Sequence, residues 1–151
     1  MMTMTVREIA EFPQEDSSHK MFWYKVTSTR SKNNITQAED GQQAKLNVCK
    51  FWGISPSDCW LGICALTARK ITINYKGHIL TKTADVIGYE KLYDSHKNLF
   101  EKFLNNYWAV WEFPENHLPV KIKYVKGKIP YLRVDFAKGG WLHILSPSEW
   151  F

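Results

Sequence analysis

The chain has 151 residues, 44% of them hydrophobic and 23% charged. That suits one globular domain and excludes a disordered tail, a collagen-like repeat or a disulfide-dense mini-protein. The less ordinary figures are a net charge of +5 and an aromatic content of 15% with seven tryptophans.

The first residues, Met-Met-Thr-Met-Thr-Val-Arg-Glu, have neither the basic start nor the apolar core of a signal peptide. No apolar run approaches the eighteen or so residues that a membrane helix needs. Cys49, Cys59 and Cys64 are an odd set, read as buried free thiols in a reducing compartment. Cys59 and Cys64 make a Cys-x4-Cys with no second close pair, so no zinc set is present. The expectation is a soluble, cytoplasmic domain spanning 1–151, without membrane contact, metal or cofactor.

In chain order, a strand is expected over 21–27. The polar, glycine-containing stretch 28–43 reads as a long exposed loop. Residues 44–52 fit a helix or a strand equally. Ser55-Pro56-Ser57-Asp58 offers an N-cap serine followed by proline at the first helical position, which predicts a helix over 56–68 despite Gly62. A first hairpin is read over 70–75 and 78–83, turning at Lys76-Gly77. The clearest helix runs over 89–107. Leu92, Leu99, Phe100, Phe103 and Tyr107 form its apolar stripe, and Lys97 and Glu101 sit four apart on its wet side. His96 falls on the apolar stripe as a satisfied, half-buried histidine. A strand is expected over 108–113. A second hairpin over 120–125 and 129–136 turns at Lys126-Gly127-Lys128, Pro130 demoting the start of its return strand. A last strand covers 141–145. Together these give an α+β class: a mostly antiparallel sheet of five to seven strands with one or two helices on a face.

Charge singles out the second hairpin. Residues 1–66 carry seven basic and seven acidic side chains, whereas 67–151 carry thirteen and eight. Alternation turns Val120, Ile122, Tyr124, Leu132, Val134 and Phe136 inward, and Lys121, Lys123, Tyr131, Arg133 and Asp135 outward. Lys126, Lys128 and Lys138 extend the charge, giving six basic residues and one acid over 120–138. Cations at strand spacing track a phosphate backbone, and Tyr131 adds a ring for base stacking. The same pattern also suits an ordinary solvated face, on which lysines block edge-to-edge pairing. Lys70, Lys76 and Lys82, near Tyr75, would extend the basic stripe if the two hairpins share a sheet.

Most of the tryptophans read as core: Trp23, Trp108, Trp111 and Trp141 in strands, Trp60 on a helix. Trp150 and Phe151 either tuck back into the core or meet a partner. Catalytic signatures are missing: no phosphate loop, no Gly-x-Ser-x-Gly and no His-Glu-x-x-His occurs. His78 and His143 stand in His-Ile-Leu-Thr and His-Ile-Leu-Ser. The hydroxyl is one residue too far for the paired motif of two-histidine phosphoesterases, and in a strand that slip reverses its face. The leading expectation is therefore a non-enzymatic binding domain whose basic, tyrosine-containing hairpin face meets nucleic acid. Lys121, Lys123, Lys126, Lys128, Tyr131 and Arg133 would carry it, with Lys70, Lys76 and Lys82 in support. The alternative is a small adaptor or inhibitor that binds an acidic protein surface or occupies a nucleic-acid channel. A third reading is an enzyme acting on a phosphorylated or nucleotide substrate through His78 or His143.

Overall fold

The computed structural model describes residues 21–30 and 32–151; the N-terminal stretch read above for a signal peptide lies outside them. Among the described residues nine strands fall into three antiparallel sheets. Strands β1 (Phe22–Ser28), β2 (Asn33–Ala38) and β3 (Leu66–Lys70) form one, in the order β2-β1-β3. Strands β4 (Ile73–Tyr75) and β5 (His78–Leu80) make a separate hairpin. The last four, β6 (Pro119–Val125), β7 (Tyr131–Phe136), β8 (Trp141–Ser146) and β9 (Glu149–Trp150), follow one another in a meander. With helices α1 (Gly41–Trp52) and α2 (Asp94–Ala109), this is an α+β fold.

Helix α1 begins where Asp40 accepts the Gln43 N–H at 2.8 Å, and stops at Gly53, whose φ of 70° is left-handed. It covers Tyr24, Val26 and Leu66 of the first sheet with Ala44, Val48 and Cys49. Burial pushes the Cys49 thiol up from its ordinary value, but Cys59 and Cys64 are exposed, against the expectation that all three are buried.

Four further expectations are corrected. First, the stretch 28–43 is not one exposed loop. It contains β2, which pairs with β1 from Asn33 to Ala38 and is buried from Asn34 onward. Its polar residues are consumed internally. Thr83 donates its hydroxyl to Gln37 Oε1 at 2.6 Å while accepting the Trp23 indole N–H at 3.0 Å. Gln37 Nε2 in turn donates to the Glu101 carbonyl and to Asn105 Oδ1. A buried amide with every group paired is tolerated in a core, and this one ties β2 to α2.

Second, no α-helix forms over 56–68, which holds a single 3₁₀ turn at Ile63–Ala65. Asp58 accepts the Trp60 and Leu61 N–H groups, and Gly62 lies so close to the Pro56 and Asp58 carbonyls that a side chain there would collide. Residues from Leu66 onward pair with β1 instead, leaving Trp60 78% exposed.

Third, the helix expected over 89–107 is broken. Tyr89–Lys91 is a single 3₁₀ turn, Leu92 and Tyr93 are extended, and α2 starts only at Asp94. The turn lies across α2, where the Tyr89 hydroxyl bonds Glu101. Lys97 sits 3.8 Å from Glu90.

Fourth, 108–113 is not a strand. Trp108 follows Phe100 and Leu104 on the buried face of α2, packs edge-on against Trp23 and donates its indole N–H to the His117 carbonyl. Trp111 lies past the helix end and stacks on His117.

The second hairpin matches its alternation. Val120, Ile122, Leu132, Val134 and Phe136 are buried, and α2 closes that side through Phe100, Phe103, Leu104 and Tyr107. Strand β7 begins at Tyr131 rather than 129, because Pro130 has no N–H to give a ladder. Trp150 tucks back onto Phe103 and Tyr107, whereas Phe151 is 64% exposed.

Candidate functional site

Helix α2 covers one face of the β6–β9 sheet, and the outward set occupies the other. Lys123 pairs with Arg133, Arg133 with His143, and His143 exchanges backbone hydrogen bonds with Phe151. These four side chains form one row across the sheet, at a spacing of about 4.8 Å per strand. Beside it runs a second row, Lys121–Asp135–Trp141.

Contacts between the rows are aromatic and cationic. Tyr131 and His143 stack with centroids 3.9 Å apart, while His143 meets Trp141 at 4.8 Å and Phe151 edge-on at 5.0 Å. The Arg133 guanidinium lies 4.8 Å from the centre of the Trp141 ring, and its Nε donates to Asp135 at 3.1 Å. That pair is too exposed to add much stability, but it ties the guanidinium down beside the indole. Trp141 and Phe151 retain the most open ring surface, at 51% and 64% exposure.

The cations named from the sequence divide into two groups. Lys121, Lys123 and Arg133 stand on this face, with Lys126 and Lys128 exposed on the turn at its end. Lys70 and Lys82 instead flank the Phe22 ring, at 3.9 and 5.2 Å, and Lys76 lies over Tyr75. The two hairpins occupy different sheets, so the single-sheet stripe that would have joined them does not form. His78 is exposed on β5, and the ring partners of His143 are Tyr131, Trp141 and Phe151; the histidine pair is not a shared site. Among the described residues no three His, Cys, Asp or Glu side chains gather as a metal site, and no helix is long and apolar enough to cross a membrane.

A cleft of about 700 Å³ opens along the outer edge of β6. Its floor is Ile122, Tyr124 and the segment from Ile87 to Tyr93, with Lys91, His96, Lys121, Lys123 and Arg133 around it. The segment is pinned by two backbone bonds, Ile87 N–H to Val120 O and Ile122 N–H to Ile87 O. Gly88, at φ +95°, lies so close to the Ile122 carbonyl that only glycine fits. His96 stacks on Tyr124 at 4.3 Å, and Tyr93 stands against both rings. Contrary to the expectation of a satisfied histidine, His96 Nδ1 is buried without a hydrogen-bond partner, a state that costs about 1–3 kcal/mol.

Sequence reasoning read Trp141 as core, Phe151 only as core or partner contact and His143 only as a catalytic candidate. Alternation puts Trp141 and His143 on one face of their strand, but joining them to Arg133 needs the β7–β8 register. Lys91, Tyr93 and Tyr124 gave no signal, since their meeting depends on the break before α2. Comparison with known protein families, with curated proteins and with solved structures finds no match.

Proposed function

We propose that this protein is a non-enzymatic binding domain that holds single-stranded nucleic acid on the outward face of its β6–β9 sheet. The observation that carries the reading is the cluster of Tyr131, His143, Trp141 and Phe151 set among Lys121, Lys123 and Arg133 on a face that α2 leaves open. Stacking on aromatic rings needs the flat side of a base, which a duplex hides within its own stack and a single strand offers. Trp141 and Phe151 would take bases, with Tyr131 and His143 bracing them. Lys121, Lys123, Arg133, Lys126 and Lys128 would neutralise phosphates. Lys70, Lys76 and Lys82 are too far from this arrangement in the topology to be assigned to it.

The test is retardation of a labelled oligonucleotide by wild type and by a Lys121→Glu/Lys123→Glu/Arg133→Glu variant. Wild type should bind unpaired strands in low salt in preference to duplex, and the variant should stay folded and lose binding. A wild type that retards no oligonucleotide ends the proposal.

The adaptor or inhibitor reading draws support from exposed apolar groups at the rim, Ile129 at 72% and Leu145 at 38%, which suit an acidic protein surface with an apolar border. Capture of a protein that survives nuclease treatment would favour it, and a cytoplasmic setting suits either reading.

A further inference from the structure

Next to the sheet face, the cleft along β6 has a different composition, and its dimensions suit one nucleotide rather than a strand. Its volume of about 700 Å³ lies within the range of small-molecule sites, roughly 300–1,000 Å³. On one side stands Tyr93, 64% exposed, braced by Tyr124 at 6.4 Å and His96 at 5.5 Å. The brace fixes the ring while leaving much of it open, as a stacking platform requires. The same cleft is lined by Lys91, Lys121, Lys123 and Arg133. The carboxylates in the vicinity are Asp135 in the lining, already engaged by Arg133, Glu90 within the Gly88–Tyr93 segment, 3.8 Å from Lys97, and Asp94 in the first turn of α2.

An exposed ring and several cations lining one cleft match the two halves of a nucleotide.

We infer that the cleft between Gly88–Tyr93 and β6 binds one phosphorylated nucleotide, its base on Tyr93 and its phosphate among Lys91, Lys121 and Lys123. The inference rests on the nucleic-acid reading of the neighbouring face. Lys121, Lys123 and Arg133 belong to both surfaces, so a strand lying on the sheet would deliver its phosphorylated end into the cleft. A free mononucleotide shares that chemistry.

Binding of adenosine 5′-monophosphate and adenosine is measured by calorimetry. Alongside, anisotropy compares decanucleotides carrying a 5′-phosphate, a 3′-phosphate or hydroxyls at both ends. Adenosine should bind about tenfold more weakly than its monophosphate, the loss expected for a charge-assisted contact. One phosphorylated decamer should bind about five- to tenfold more tightly than the hydroxyl form. Tyr93→Ala and Lys91→Glu, both on the cleft side only, should abolish these differences. Trp141→Ala should weaken all three decamers alike. Binding of the monophosphate with no preference among decamers supports the cleft as a free-nucleotide site. Binding of the monophosphate when no decamer binds removes the sheet reading and leaves the cleft. Decamers that bind equally well, with no binding of the monophosphate, overturn the inference and leave the sheet reading intact.

Discussion

Strands β2 and β7 are each six residues long, but they meet opposite surroundings. In β7 every second residue is buried, Leu132, Val134 and Phe136, and the residues between them are half-exposed. In β2 five consecutive residues, Asn34 to Ala38, are buried, because α1 and α2 cover it while β1 pairs with it. The polar groups of β2 therefore have no solvent to turn to and are satisfied internally, by Thr83, Asn105 and Asn47. Those of β7 face outward, free to meet something else. Polar residues on the covered strand hold the fold together, and polar residues on the open strand are available for a ligand.

The sharpest way to break this comparison is to swap the costs. Gln37→Leu should destabilise the protein by about 1–3 kcal/mol, since the buried Thr83 hydroxyl loses its acceptor inside the core. Urea unfolding would measure it, and oligonucleotide affinity of the folded fraction should be unchanged. Trp141→Ala should do the reverse. A stacking ring is worth about 1–3 kcal/mol of binding per base, and fluorescence anisotropy should record that loss while the urea midpoint stays near wild type. Lys121→Ala/Lys123→Ala should lower affinity more gently. Its signature is a salt dependence flattened by about 0.7 per phosphate contact removed, roughly 1.4 for the pair.

The smallest effect concerns the end of the covered core. Burial lowers the His117 pKa from its ordinary 6.5, so the fold favours the neutral ring stacked against Trp111. The contribution is complete above 6.5 and is lost as pH falls through the lowered folded value. Thermal melts from about pH 7.5 down to about 5 should therefore show a decline that His117→Phe makes shallower.

The same contrast decides what could be read in the sequence. Period-two alternation exists only where one face is dry and the other wet, so the second hairpin, its inward set and its outward cations were legible. Strand β2 was not, because Asn34, Thr36 and Gln37 look like loop residues unless their distant partners are known. Helix α1 carried legible caps, Asp40 with Gln43 three residues on and Gly53 at the end, and these favour helix where its apolar spacing left the choice open. The Ser55-Pro56 start misled in the opposite direction. A local N-cap pattern gave way to pairing of 66–70 with β1, a contact worth more than the helix could offer across Gly62. For the site, the cations of the open face were visible from alternation. The aromatic half was not, since joining Tyr131 to His143, Trp141 and Phe151 requires the β7–β8–β9 register.

The proposed binding of a single strand on the open sheet face, through rings and cations together, is tested most directly by the anisotropy of a labelled unpaired oligonucleotide, titrated over a range of salt with wild type and with Trp141→Ala. Wild type should bind in low salt with a log–log slope of several phosphate contacts. Trp141→Ala should keep that slope and lose about 1–3 kcal/mol of affinity at every salt concentration. Equal affinity of the two proteins would show that bases do not stack on this face and would contradict the account.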